Sequence, residues 1–164
     1  MKTIVKNQQE TKILAEAFAD NIKEKGGFVS LFGDIGAGKT AFCRYAIKHL
    51  GVKEDITSPS FVILNEYKSQ NIPVYHFDLY RLEDGGIDSI KEELREYSKE
   101  NVLTFVEWAD FGKNELPFEK MEINVEYDYE NYSTERTFEF KGTNKYYEDV
   151  IRKTIEDFRQ RISN

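Results

Sequence analysis

Long apolar runs are absent from this 164-residue chain. None of its hydrophobic stretches approaches the ~20 residues that a bilayer span needs, so a membrane role is not expected. Cysteine is nearly absent too. Cys43 stands alone and can form no internal disulfide, and it falls on an apolar helical stripe, where a free thiol acts as a small core hydrophobe. An excess of positive charge is lacking: 23 Lys and Arg face 30 Asp and Glu, for a net charge of −7. That argues against a broad basic footprint for independent nucleic-acid binding, although action on RNA through a partner stays open. Only three prolines occur, and no Pro/Gly-rich linker, repeat or low-complexity tract breaks the chain. One domain over residues 1–164 is the expectation. The opening Met1-Lys2-Thr3-Ile4-Val5-Lys6 runs straight into polar residues, unlike a secretory signal. A reducing cytoplasm fits all of this.

What the chain does have is core material and one dense motif. Apolar residues make up 40%, with 12 Phe and 10 Tyr. Residues 31–40 read LFGDIGAGKT. Gly33, Gly36, Gly38, Lys39 and Thr40 fit G-x-x-x-x-G-K-[ST], the phosphate-binding loop. A tight loop of this kind turns backbone N–H groups inward as an anion nest, and the helix behind it aims its partly positive end at the same anion. Lys39 reaches the β- and γ-phosphates in such loops, and the Thr40 hydroxyl binds Mg²⁺. The motif requires a strand before it and a helix after it. Gly27–Phe32 is an apolar run of strand length. Cys43, Ala46, Ile47 and Leu50 fall on one helical stripe, with Gly51 placed to stop the helix.

Elsewhere, Ile4-Val5 suggests a short edge strand, and residues 9–25 a helix presenting Leu14, Ala17, Phe18 and Ile22, stopped by Gly26-Gly27. Phe61–Tyr67 and Pro73–Leu79 read as strands joined by a turn at Lys68-Ser69-Gln70-Asn71. Residues 88–99 read as a charged helix and Asn101–Val106 as a buried strand. Met121, Ile123, Val125, Tyr127 and Tyr129 alternate with polar residues, as do Arg136, Phe138 and Phe140, which predicts a hairpin. Residues 145–162 close the chain as a helix. The pattern predicts an α/β fold in three layers: a mainly parallel central sheet, with the strands before Asp78 and Glu107 beside the loop strand, and antiparallel edge strands.

A phosphate-loop enzyme needs an acid near Mg²⁺ and a group that orders water. Ligands gather where parallel strands end. Asp78 follows Val74–Phe77 and Glu107 follows Val102–Val106, so either acid could serve the metal. Thr57-Ser58-Pro59-Ser60 lies where nucleotide switches keep a phosphate-sensing hydroxyl, though composition alone reads it as an ordinary turn. Arg136 sits on an apolar strand face and calls for a carboxylate or a phosphate. Trp108, the only tryptophan, must lie near the site; core filler is the default for it, and a structural role is the default for His49 and His76.

Four stretches, GDIGAGKT (33–40), TSPSFVILNEY (57–67), YHFDLYRL (75–82) and VEW (106–108), together resemble the TsaE (YjeE-like) family, the small ATPase component of bacterial tRNA N6-threonylcarbamoyladenosine synthesis. The resemblance implies a P-loop fold, ATP/ADP and Mg²⁺ as ligands, and action with TsaB and TsaD on adenosine 37 of tRNAs reading ANN codons, the tRNA being met only through those partners. The family's phosphate loop falls on Gly33, Asp34, Gly36, Ala37, Gly38, Lys39 and Thr40, with Ala41 where a second threonine is usual. Its switch falls on Ser58-Pro59-Ser60-Phe61, with Ser60 for the usual threonine. Its strand-end aspartate falls on Asp78, and its Glu-Trp pair on Glu107-Trp108, which implies Glu107 as Mg²⁺ carboxylate beside Thr40. Its late-strand arginine falls on Arg136, and the start of its first helix, around Gln8 to Thr11, borders the adenine. Lys39, Asp78 and Glu107 are then the catalytic set of an ATPase of low intrinsic rate. The segment Asp84-Gly85-Gly86-Ile87 is less like the family.

Other classes remain as alternatives. A GTPase-like switch normally carries Asn-Lys-x-Asp; the nearest string here, Asn144-Lys145-Tyr146-Tyr147, lacks the aspartate. A small P-loop kinase usually has an Arg-rich lid, whereas Arg152, Arg159 and Arg161 cluster near the C-terminus. A module that uses ATP only to hold a shape would bind it without turnover.

Overall fold

The computed structural model describes residues 1–82, 86–131 and 133–164. Its frame is one seven-stranded sheet. The strands are β1 (Lys2–Val5), β2 (Gly27–Phe32), β3 (Leu64–Lys68), β4 (Pro73–Asp78), β5 (Leu103–Glu107), β6 (Met121–Glu126) and β7 (Arg136–Gly142). The helices are α1 (Gln8–Ile22), α2 (Lys39–His49), α3 (Lys91–Glu96) and α4 (Lys145–Ser163). The sheet order is β1-β7-β6-β2-β5-β4-β3. The four middle strands β6-β2-β5-β4 run parallel, while β7 on β6, β1 on β7 and β3 on β4 are antiparallel. The mixed α/β sheet with parallel centre and antiparallel edges is thus as expected. Every residue of β5 is buried, which is why its sequence lacks a polar face; before Glu107 only Thr104 is polar, and its hydroxyl donates to the Tyr97 carbonyl.

The two faces of the sheet are unequal. Helices α1, α2 and α4 cover one. There Phe18, Phe42, Phe105 and Phe138, from α1, α2, β5 and β7, meet at ring-centroid distances of 5.4 to 5.9 Å. Phe42 lies in the first turn of α2, so this cluster fixes the end of the helix that carries Lys39 and Thr40. The other face, built on Phe28, Phe77 and Val106, is covered among the described residues only by α3 and short 3₁₀ turns. The third layer is therefore thinner than expected. The charged 88–99 stretch supplies only α3, because Leu94 is its one buried side chain and it has no apolar stripe to dock a longer helix.

A second difference lies before β3. Residues Pro59–Phe61 form a 3₁₀ turn, and the strand expected from Phe61 starts at Leu64. The Ser58 hydroxyl accepts from the Ser60 N–H, and Pro59 starts the turn, both of which favour a bend over a strand. Strand β6 ends at Glu126, short of Tyr127 and Tyr129. Residues 84 and 85 of the Asp84–Ile87 segment lie outside the described residues. Among the described residues no helix is long and apolar enough to cross a membrane.

Candidate functional site

Register brings the two acids side by side. Asp78 of β4 pairs with Glu107 of β5, and Leu31 of β2 lies level with Glu107 on its other side. Two residues after Leu31 the chain leaves β2 at Gly33 and turns through the loop into α2. Gly33 has φ +131°, and a Cβ there would come 2.3 Å from the Val125 carbonyl oxygen. Gly38 has φ +113° and forms the N-cap of α2 with no side-chain cap. The contrast within the molecule is informative. Asn7 caps α1 and Asn144 caps α4, each accepting a backbone N–H through its side chain. Helix α2 lacks such a cap, as does the short α3, and α2 is the one that opens onto the strand ends, where its leading N–H groups form a ready anion seat.

The loop is held from outside by its carbonyls. Lys39 Nζ donates to the carbonyl oxygens of Gly33 and Asp34. The Tyr129 hydroxyl donates to the Ile35 carbonyl at 2.7 Å, and Arg136 Nε to the Ala37 carbonyl at 3.1 Å. In a trans peptide the carbonyl points away from the next N–H. Tying the Ile35 and Ala37 carbonyls therefore turns the N–H groups of Gly36 and Gly38 the other way. Among the described residues Arg136 meets backbone carbonyls and no carboxylate. It also donates to the Ser133 and Glu135 carbonyls and stacks 4.1 Å from the Tyr127 ring centroid.

A cleft of about 450 Å³ opens at this end of the sheet, and it brings together Gly36, Gly38, Lys39, Thr40, Ala41, Ser60, Asp78, Glu107 and Trp108. The Thr40 hydroxyl donates to Glu107 Oε1 at 2.6 Å, and His76 Nε2 meets Glu107 Oε2 at 2.6 Å. Ser60 Oγ donates to Asp78 Oδ2 at 2.7 Å, while Asp78 Oδ1 accepts from the Tyr80 N–H at 3.0 Å. Lys39 is buried, and burial draws its ammonium below the usual lysine range against the pull of Glu107, Asp78, Asp34 and Asp110. Its Nζ lies 4.0 Å from the Trp108 ring centroid. Trp108 is only half-buried, stacks on Phe111 and has φ +56°. A bulky side chain in that backbone region is uncommon and clusters at functional sites. Trp108 is thus a wall of the cleft rather than core filler. Cys43 is buried, as expected, and burial pushes its thiol well above its ordinary value.

Thr11 and Arg136 do not reach this cleft. They line a second one of about 330 Å³ on the far side of the loop, together with Ala37, and Gly36, Gly38 and Ala41 form the wall shared with the first. Two contributors were not singled out by the sequence reading. Tyr129 gave only a period-2 signal beyond a strand end. His76 carried a structural default, yet it contacts the carboxylate directly.

The model for the family described as threonylcarbamoyl adenosine biosynthesis protein TsaE matches residues 5–138 of this chain. The chain belongs to the TsaE family. The matched span contains the loop, both strand-end acids and Arg136, and stops before α4. A Rickettsia felis protein named tRNA threonylcarbamoyladenosine biosynthesis protein TsaE is 41% identical over 128 residues, covering 75% of this chain and 71% of that protein. A Bacillus subtilis protein of the same name is 38% identical over 119 residues, covering 73% of each. Among solved structures, Bacillus subtilis YdiB superposes with a TM-score of 0.72 at 29% identity, over 100% of this chain and 96% of that one. The sheet with parallel centre and antiparallel edges is therefore shared with a solved relative of the chain.

Proposed function

We propose that the protein is a Mg²⁺-dependent P-loop ATPase, one domain over residues 1–164, that serves threonylcarbamoylation of adenosine 37 in tRNAs reading ANN codons. It acts in the cytoplasm with TsaD and TsaB. The observation that carries this reading is the meeting of the uncapped end of α2 with Lys39, Thr40 and Glu107 at one cleft. The residues fit the ligands. Glycines at positive φ and tied-back carbonyls leave loop N–H groups for phosphate oxygens, and Lys39 adds a cation beside them. The Thr40 hydroxyl and Glu107 carboxylate offer the hard oxygen donors that Mg²⁺ takes. Bound there, the ion would neutralise charge on the terminal phosphates.

Within that reading Asp78 has a different task. It holds Ser60, so it links the 57–60 switch to the strand end and is the acid placed to order the attacking water. The second cleft, with Thr11 and Arg136, suits the nucleoside. The arginines nearest the phosphate seat are already engaged. Arg136 is spent on loop carbonyls, and Arg81 lies 4.5 Å from the Phe61 ring centroid at the rim. Ile35 and Phe61 line the cleft and stand 66% and 80% exposed. A partner surface could cover them, order the switch and add charge, an arginine finger being worth about 10³–10⁵ in rate. The net charge of −7 supports leaving the tRNA to the partners. The test is steady-state ATP hydrolysis with and without purified TsaB–TsaD. A slow intrinsic rate that rises with the pair and ignores tRNA alone is expected. A fast rate indifferent to the pair, or tight direct tRNA binding at physiological salt, would overturn the account.

A further inference from the structure

We infer that His76 is a positioning residue that fixes which oxygen of Glu107 faces the metal; the inference rests on the Mg²⁺ reading above. His76 and Glu107 are 0% and 1% exposed. The Glu107 carboxylate is held at both ends, by Thr40 at Oε1 and by His76 Nε2 at Oε2, each at 2.6 Å. A carboxylate only accepts, so the imidazole donates from Nε2. The other ring nitrogen agrees: Nδ1 is buried with no hydrogen-bond partner among the described residues. A proton on Nδ1 would be a buried donor without an acceptor, so the ring carries its proton on Nε2.

With Oε2 engaged, Oε1 alone is turned toward Thr40 and the cleft. Without that donor a buried Oε2 would lack a partner, and the carboxylate would gain by rotating away from Thr40. His76 and Asp78 are two apart on β4 and so share a face, and the ring packs edge-on to Phe105 at 6.3 Å. Cys43 Sγ closes the same cluster, its ligand atoms all within 4.8 Å of one another. With Nε2 already given to Glu107, this trio is the support of a carboxylate and not a second metal seat. Partners that orient metal-bound ligands are worth about 10–100-fold in metal affinity.

The experiment compares wild type, His76→Phe and His76→Gln. His76→Phe keeps a ring and removes the donor; His76→Gln returns an N–H near the Nε2 position. Mn²⁺ affinity with saturating ADP is read by electron paramagnetic resonance, and ADP affinity in EDTA by calorimetry. Expected are a loss of about 10-fold or more in Mn²⁺ affinity for His76→Phe, metal-free ADP affinity within about twofold of wild type, and recovery of most of the loss in His76→Gln. Unchanged Mn²⁺ affinity in His76→Phe, or equal losses in both variants, would overturn the inference. Should His76→Phe fail to fold, proton–nitrogen correlation spectra of the wild-type imidazole decide: Nε2–H supports the assignment and Nδ1–H overturns it. Wild-type protein that binds ADP but no Mn²⁺ would instead refute the metal reading itself, a failure visible before any variant is made.

Discussion

The ends of β4 and β5 lie next to each other in register, and each carries a buried acid, yet the two are anchored differently. Glu107 is gripped by the Thr40 hydroxyl on the helix and the His76 ring on the neighbouring strand. Both grips come from regular elements, so its place is fixed before any ligand arrives. Asp78 is bonded to Ser60 and to the Tyr80 N–H. Both partners lie in short 3₁₀ turns, not in a strand or a long helix. Two carboxylates one strand apart are thus held in unlike ways, one between a helix and a strand, the other by two turns, which is what the roles proposed for them require.

The largest expected effect removes the cation that shares the cleft with both acids. Lys39→Ala should weaken ATP binding and cut hydrolysis by at least about 10²-fold, the scale for losing one preorganised charge at a developing anion. Calorimetry and a phosphate-release assay check it, and unchanged turnover would sink the nucleotide site. Next comes Asp78→Ala. It should keep ADP affinity within a few-fold and lose about 10²-fold or more in hydrolysis, in the range for a group that positions a proton transfer. Loss of binding in place of turnover would make Asp78 a ligand holder like Glu107.

A third acid sharpens the contrast by serving stability alone. Asp20 of α1 accepts from Arg161 of α4 at 2.8 Å and from Lys23 at 3.1 Å, with His49 of α2 also at 3.1 Å. Burial alone would raise its pKa, but these hydrogen bonds hold it down at about 2, below the ordinary 3.8. Its folded pKa is depressed, so its stabilisation is complete above pH 3.8 and is lost as pH falls through about 2. Asp20→Asn should therefore lower stability by up to about 1 kcal/mol per exposed partner near neutral pH, and by little near pH 2. Parallel denaturation curves at the two pH values would show it, with ADP affinity unchanged. The smallest effect is spectroscopic. Trp108 shares the cleft with Lys39, so its fluorescence should shift when ADP is added. A silent signal with binding confirmed by calorimetry would detach Trp108 from the site.

Most of the frame was legible because local rules and packing agree. The Gly33–Thr40 spacing, the stripe Cys43, Ala46, Ile47, and an acid after each apolar strand all follow from period and turn chemistry. What escaped depends on contacts between distant segments. The hairpin of β6 and β7 was legible from its alternation, but nothing local says that β6 lies parallel beside β2, or that Tyr129 reaches across 94 positions to the loop. Phe61–Leu64 has strand-like composition, but Pro59 and the Ser58 cap bend it, and Ile63 takes φ +71° to hand its carbonyl to the Asp78 N–H. His76 looked like core because its function is exerted through another side chain.

The division of labour between the two strand ends is tested most directly by titrating Mg²⁺ into ATP hydrolysis by Glu107→Gln and Asp78→Asn side by side. Each swap keeps size and removes charge. The Glu107→Gln curve should move to Mg²⁺ concentrations at least about tenfold higher, as losing support at a metal site does. The Asp78→Asn curve should keep the wild-type midpoint at a reduced plateau. Exchanged behaviour, with the midpoint moving for Asp78→Asn and not for Glu107→Gln, would contradict the account.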